Sequence, residues 1–222
     1  MTGLTAIVPM RGGSVRVPGK NVRLLAGKPL FWHVVDALQR AKCVERIVVD
    51  SDSPDILARV EESFPGVQRL LRPAHLGTGS TPMNAVIANV LAQVPGEWFL
   101  QTHSTNPFLR PETIDAAWAS LQAAPQADSL FSVTPLKKRF WSPEGKAINH
   151  DPSVLLPTQD LPETMEENSC LYVFARESFV ARRNRIGARP LLFRMDPLEA
   201  VDIDTPDDWA LADALMRARR PA

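Results

Sequence analysis

Short apolar runs rich in β-branched residues alternate along this chain with longer stretches in which apolar residues recur every three or four positions. The first run, residues 4–8, is β-prone and stops at Pro9, and residues 10–21 carry too much glycine and proline for either regular element. Over residues 29–41, Leu30, Val34, Val35, Leu38 and Ala41 fall at helical spacing. A valine-rich strand follows at 46–50. Ser53 then reads as a helix cap, with Pro54 at the first helical position, Asp55 in the first turn and Ile56, Leu57 and Val60 on the buried side. A third strand spans 66–71. The alternation continues with helices at 82–93 and 111–123, strands at 97–102, 129–133 and 170–175, an apolar run at 191–195 and a last helix from Pro206. This order predicts an α/β domain with a mainly parallel sheet flanked by helices and joined by right-handed connections. Between 134 and 168 the pattern breaks into a proline-rich, charged stretch, which predicts a small protruding insertion.

Composition narrows the function classes. A chain of 222 residues fits one domain with an elaboration. Lys plus Arg and Asp plus Glu both number 25, so no global positive field exists for nucleic acid or an anionic membrane, and any anion site must be local. The two cysteines, Cys43 and Cys170, stand in no metal-type spacing and read as core thiols of a reducing compartment. No apolar run approaches the ~20 residues needed to span a bilayer. Residues 1–10 lack a basic flank and their apolar stretch ends at Pro9, so a cytoplasmic location is expected.

In open sheets of this type ligands bind beyond the carboxyl ends of the strands, which directs attention to residues 11–21, 51–52, 72–80, 101–106 and 202–204. The first of these segments sets Arg11, Arg16, Lys20 and Arg23 around Gly12 and Gly13, a local cationic loop suited to a polyphosphate. By itself the loop also fits a solvated turn. It contains no GxGxxG, and the stretch from Gly13 to Gly19-Lys20 is one residue too long for a Walker A loop and lacks its Ser or Thr. At the other end of the chain, Asp202 and Asp204 are two residues apart in an extended segment, so both carboxylates face one way and Ile203 the other. Such a pair suits Mg²⁺, and equally suits a helix N-terminus. Thr205, Pro206 and Asp208 form a capping-box pattern and are structural.

The segment Pro-Met-Arg-Gly-Gly-Ser-Val-Arg-Val-Pro-Gly-Lys-Asn, from Pro9 to Asn21, resembles the signature of the acylneuraminate cytidylyltransferases. Gly27-Lys28-Pro29-Leu30 resembles the next motif of that family, and Arg72-Pro73 with Leu76 its third-strand loop, so the likeness covers nearly the whole chain. It implies a Rossmann-like, GT-A-like α/β fold in which residues 134–168 form a dimerising projection. It also implies transfer of CMP from CTP to a 2-keto-3-deoxy sugar acid with release of pyrophosphate, and a homodimer. Carried over by position, the resemblance implies that Arg11 and Lys20 contact the triphosphate and that Gly12, Gly13 and Ser14 offer backbone donors. Asn21 then helps hold the nucleotide, Arg72 reads cytosine, and Asp202 and Asp204 bind Mg²⁺ and act in catalysis with Arg11 and Lys20. An ion pair is the other reading of Arg72. Two departures stand out: Val15 replaces a frequent Lys, and Gly79 a frequent Asp.

On the acceptor side, Leu100-Gln101-Thr102-His103-Ser104-Thr105-Asn106-Pro107 resembles a Gln-Pro-Thr-Ser-Pro segment, with His103 at the glutamine position and Gln101 two residues earlier. Either is a candidate for the sugar. His103 is a candidate proton acceptor at neutral pH or a structural histidine. Arg139, in the run Lys137-Lys138-Arg139, is the candidate for the substrate carboxylate against the alternative of a solvated charge run, and Asn149, Gln159, Glu167 and Asn168 are candidates for hydroxyl groups. The expected acid is of sialic type. The alternatives are the same chemistry on 3-deoxy-manno-octulosonate, legionaminate, pseudaminate or a phosphonate, or a nucleotide-binding protein without turnover.

Overall fold

The computed structural model describes residues 3–219; Met1 and Thr2, at the start of the stretch read for a leader, and residues 220–222 lie outside the described residues. Strand β1 (Leu4–Met10) opens the chain and is buried along its whole length, because parallel neighbours flank it on both sides and helices cover both faces. Its side chains alternate between two cores. Leu4, Ala6, Val8 and Met10 join the cluster on one face, and Ile7 the cluster on the other.

After the hairpin β2 (Leu24–Leu25) and β3 (Lys28–Pro29), the chain runs through α1 (Leu30–Arg40), β4 (Val44–Ser51), α2 (Pro54–Ser63), β5 (Gln68–Leu71), α3 (Met83–Leu91), β6 (Trp98–Gln101), α4 (Pro111–Gln122) and β7 (Ser129–Leu136). It ends with β8 (Thr164–Ala175), α5 (Arg176–Arg182), β9 (Pro190–Arg194) and α6 (Pro206–Ala218). The sheet has seven strands in the order β5-β4-β1-β6-β8-β7-β9, and β8 alone runs against its neighbours. Helices α1, α2 and α4 pack on one face through Phe31, Val34, Leu38, Val60, Ile114 and Leu121. Helices α3 and α5 pack on the other through Ile87, Val90 and Phe179. The mainly parallel α/β sheet expected from the alternation is the observed architecture.

Three features differ from the sequence reading. The tiny β2–β3 hairpin turns at Ala26 (φ 50°) and Gly27 (φ 85°), too short to leave a periodic signal. Helix α5 has seven residues and buries only Phe179, so no amphipathic repeat announces it. The expected insertion is shorter than 134–168, because β7 and β8 continue as an antiparallel pair from Val133 to Leu136 and from Thr164 to Glu167. What remains, residues 137–163, holds one isolated bridge, Trp141 with Ala147, and a single 3-10 turn, Thr158–Asp160.

A third, small cluster decides where the site forms. Val17 from the glycine-rich loop, Ile203 from the acidic segment, Phe108 after β6 and Trp209 of α6 pack together. This cluster pulls the two ends of the chain to one edge of the sheet. Both cysteines are free, and burial pushes their thiols up, Cys43 to about 12, so neither carries thiolate at neutral pH. Among the described residues, no helix is long and apolar enough to cross a membrane.

Candidate active site

The glycine-rich loop leaves β1 at Met10 and is tied down from three sides. Asn21 donates from Nδ2 to the Arg11 carbonyl (2.9 Å) and accepts at Oδ1 from Ser104 Oγ (2.7 Å), which joins the loop to the segment after β6. Asp52, just beyond β4, accepts the Gly12 N–H at 2.8 Å. A Cβ at Gly12 would come within 2.8 Å of Ser53 Cβ, so only glycine lets the loop lie this close to the start of α2. Arg11 Nε donates to the Gly13 carbonyl at 2.6 Å, and its Nη1 would lie 2.8 Å from a Cβ at position 79. Gly79, where the resembling family often has Asp, thus leaves room for this guanidinium.

The acidic segment is pinned by buried polar contacts. Glu199, almost wholly buried, accepts from the Arg110 N–H (3.0 Å) and from Thr113 Oγ1 (3.0 Å) at the start of α4. The Ile203 N–H donates to the Thr105 carbonyl, and the Asp204 and Thr205 N–H groups donate to Asp208 in the capping box that begins α6. As the i, i+2 spacing requires, Ile203 is buried while Asp202 and Asp204 face outward into one cavity.

That cavity, about 530 Å³, is lined by Arg11, Gly13, Ser14, Arg16, Lys20 and Asn21 on the loop side. His103, Ser104, Thr105, Ser169, Arg185, Asp202 and Asp204 line the remainder. Asp204 is the hinge of the arrangement. Lys20 Nζ meets its Oδ1 at 2.9 Å and Arg16 Nη2 its Oδ2 at 2.9 Å, and Lys20 also donates to the Ile203 carbonyl at 2.6 Å. Burial would raise the Asp204 carboxyl, but the Lys20 hydrogen bond and the charges of Lys20 and Arg16 outweigh it and hold the group below its ordinary range. Asp202 moves the opposite way. Burial and the neighbouring Asp204 charge raise it, against a Thr105 hydrogen bond. Two adjacent carboxylates pushed apart in this way form an anionic pair that a cation relieves. Among the described residues, no acceptor is bonded by the N–H of Gly13 or Ser14, so both remain available to an anion.

Several expected site residues stand elsewhere. The Gly12 N–H is consumed by Asp52, so Gly12 serves the packing of the loop and donates nothing to a ligand. Arg72 is 6% exposed and does not line the cavity. Its Nε pairs with Asp50 Oδ2 at 2.5 Å, and its Nη2 reaches the carbonyls of Met10 (3.3 Å) and Asp50 (3.2 Å), so the ion-pair reading holds and the guanidinium braces the root of the loop. Gln101 is fully buried beneath the cavity. Arg139 donates to the Leu156 carbonyl within the 137–163 segment and does not reach the cavity. Asn168 stitches β8 to β7, accepting from Ser132 Oγ at 2.5 Å and donating to Thr134 Oγ1 at 3.1 Å.

His103 does line the cavity, but burial, the Arg185 charge and the Lys20 charge lower its pKa to about 4 against the pull of Asp204. Gln101 Nε2 donates to the Thr102 carbonyl (3.0 Å) and faces His103 Nε2 (3.2 Å), while its Oε1 accepts from Arg185. This network leaves the ring proton on Nδ1 and occupies the Nε2 lone pair, so His103 is a neutral hydrogen-bonding group and a poor proton acceptor. The folded pKa lies below the ordinary value near 6.5, so between about 6.5 and 4 the unfolded chain binds a proton the folded chain refuses. Stability contributed by neutral His103 is therefore lost as pH falls through that window, by up to ~1.4 kcal/mol per pH unit. Urea midpoints measured from pH 4 to 8 will show this slope in the wild type and a shallower one in His103→Gln; parallel curves would refute the buried neutral imidazole.

Sequence reasoning pointed to the 51–52 segment without a role for Asp52, and it missed Ser169 and above all Arg185. Ser169 sits at φ 58° where the β7–β8 pairing shifts register, a bulge no local pattern marks. Arg185 lies in an arginine-rich stretch that reads as solvated surface, and only tertiary packing turns it inward.

A family model described as cytidylyltransferase matches residues 5–218. The chain is 32% identical to the CMP-N,N'-diacetyllegionaminic acid synthase of Legionella pneumophila, over 99% of this chain and 98% of that one. It is 28% identical to the 3-deoxy-manno-octulosonate cytidylyltransferase of Pelobacter propionicus, over 97% and 98%. A solved CMP:2-keto-3-deoxy-manno-octonic acid synthetase complexed with CTP superposes with a TM-score of 0.75 at 15% identity, covering 99% of this chain and 100% of that one, a likeness of fold. A family match that extends from the first strand to the last helix shows where the chain belongs: it is a member of the cytidylyltransferase family.

Proposed function

We propose that this cytidylyltransferase transfers CMP from CTP to the anomeric hydroxyl of a sialic-type 2-keto-3-deoxy sugar acid and releases pyrophosphate. The observation that carries the reading is the meeting of the cationic loop and the acidic pair in one cavity, through Lys20 and Arg16 on Asp204 at 2.9 Å each. A nucleoside triphosphate and an acidic acceptor need such a mixed-charge site, with cations for the phosphates and carboxylates beside the reacting hydroxyl. The full-length similarity to a relative named as a CMP-N,N'-diacetyllegionaminic acid synthase supports a nonulosonic acid over a shorter sugar.

In this reading Arg11 and Lys20 bind the phosphates, together with the Gly13 and Ser14 amides, and stabilise the charge that grows on the leaving pyrophosphate. Arg16, already in the cavity, strengthens that set where Val15 supplies no charge. The acceptor hydroxyl attacks the α-phosphorus directly, and no side chain forms a covalent intermediate. Asp202 and Asp204 fit Mg²⁺: they are hard oxygen donors side by side on one cavity wall, and the Asp202 carboxyl, raised first by burial and then by the Asp204 charge, is a group that a cation would hold ionised. When bound, Mg²⁺ neutralises phosphate charge and makes the acceptor hydroxyl more acidic. A homodimer is the expected assembly, supported by the exposed Ile148, Val154 and Leu155 in residues 137–163.

The direct test is pyrophosphate release with each of the four nucleoside triphosphates and Mg²⁺ against a panel of sugar acids, including N-acetylneuraminate, legionaminate and 3-deoxy-manno-octulosonate. Release is expected with CTP and a nine-carbon acid. Turnover confined to 3-deoxy-manno-octulosonate would keep the chemistry and overturn the acceptor class. Binding of CTP without release for any acid would favour a nucleotide-binding protein.

A further inference from the structure

Among the described residues, Arg185 is the one cavity cation that neither the loop nor the acidic pair accounts for. It stands between α5 and β9, and its backbone is clasped from α3: Asn84 Oδ1 accepts the Arg185 N–H (3.3 Å), while Asn84 Nδ2 donates to Asn184 Oδ1 (3.2 Å). Arg183, with φ 52°, ends α5 and turns the chain back toward the sheet. The guanidinium lies 3.5 Å from the centroid of the Tyr172 ring, and Nη1 donates to the fully buried Gln101. Tyr172 is itself fixed, its hydroxyl bonded to Glu167 and, at 3.1 Å, to Ser169 Oγ. An arginine side chain carries about 2 kcal/mol of rotamer entropy. A merely solvated arginine would not be held on three sides.

Despite this clamp, Arg185 forms no salt bridge among the described residues, and its guanidinium keeps donors beyond those turned to Gln101 and Tyr172. Its place along the sheet edge is informative. The loop cations lie over β1 and β4, the acidic segment attaches at Thr105 after β6, and Arg185 lies over β6 and β8. The reacting hydroxyl and the phosphates meet near the acids, so the acceptor occupies the Arg185 end. A 2-keto sugar acid carries its carboxylate on the anomeric carbon, next to the attacking hydroxyl. Asp202 and Asp204 are acids and serve the cation in the reading above, and neutral His103 carries no charge to pair with that carboxylate. Resting on the function proposed above, we propose that Arg185 binds the acceptor carboxylate as a fork, with Gln101 and Tyr172 as its positioning residues.

The test compares the wild type with Arg185→Gln, Arg185→Lys and Gln101→Glu, using the acid identified by the panel and its methyl ester. Gln101→Glu keeps the shape of the buried side chain and neutralises Arg185 in place, so it serves if Arg185→Gln fails to fold. Expected are a rise of about 10²-fold in KM for the acid in Arg185→Gln and Gln101→Glu, a KM for CTP within about twofold of wild type, and partial recovery in Arg185→Lys. The wild-type preference for acid over ester should vanish in Arg185→Gln. Equal losses for acid and ester would reduce Arg185 to a structural role, and a raised KM for CTP alone would assign it to the nucleotide; either result overturns the proposal. A wild type that turns over no acid would instead overturn the functional reading, and this assignment with it.

Discussion

Asp204→Asn will lower turnover with CTP and Mg²⁺ by roughly 10³-fold while the thermal midpoint stays within a few degrees of the wild type. The asymmetry follows from where Asp204 sits. Its carboxylate faces the cavity with a side chain 43% exposed, so its ion pairs with Arg16 and Lys20 contribute little to stability. Its backbone N–H still donates to Asp208 in the variant, which keeps the capping box and the start of α6. Function is expected to lose far more, because a neutral amide removes half of the charge offered to the proposed cation and releases Lys20 and Arg16 from their shared partner. Mg²⁺ titrations of pyrophosphate release, with circular dichroism as the folding control, give the comparison. A variant with near-normal turnover and unchanged metal dependence would remove Asp204 from the proposed metal site.

Arg72→Ala will have the opposite signature, a loss of about 3–5 kcal/mol of stability, or roughly 10 °C or more in midpoint. The pair Arg72–Asp50 is buried on both sides, and Asp50 Oδ1 has no hydrogen-bond partner among the described residues. Burial raises the Asp50 carboxyl and Arg72 opposes the rise. Without Arg72 the folded pKa climbs further above its unfolded value, so the deficit is largest at neutral pH and shrinks as acid protonates Asp50. Arg72→Ala combined with Asp50→Asn should recover part of the loss, since no charge is then left unpaired. If Arg72→Ala instead leaves the midpoint within ~2 °C and raises only the KM for CTP, the cytosine-reading role implied by the family resemblance is correct and the bracing role is not.

These two residues show what kind of information the chain carries locally. The glycine-rich loop and the Asp202–Asp204 segment were legible because their chemistry depends on spacing over a few residues: a cation density around two adjacent glycines, and an i, i+2 pair ahead of a helix cap. Both line the cavity as expected. Arg72, Gln101, Arg139 and Asn168 stand off the cavity lining for a common reason. Each is a polar side chain near a strand end or a charge run, and such a position does not reveal whether the donors turn to solvent, ligand or backbone. Packing answered it, with Asp50 for Arg72, Arg185 for Gln101, the Leu156 carbonyl for Arg139 and the Ser132 and Thr134 hydroxyls for Asn168.

By itself the sequence determined the alternation of strands and helices, the capped starts of α2 and α6 and the presence of a local cationic loop in a neutral chain, because periodicity, capping and charge density are properties of neighbouring residues. The tertiary structure alone decided that β8 runs antiparallel, that Val17 and Ile203 share one cluster and so bring residues 11–21 against residues 202–204, and that Arg185 turns inward onto Tyr172. Those outcomes depend on contacts between segments up to nearly the whole chain apart, where the burial of one side chain is settled by the shape of another, and no local pattern encodes that pairing.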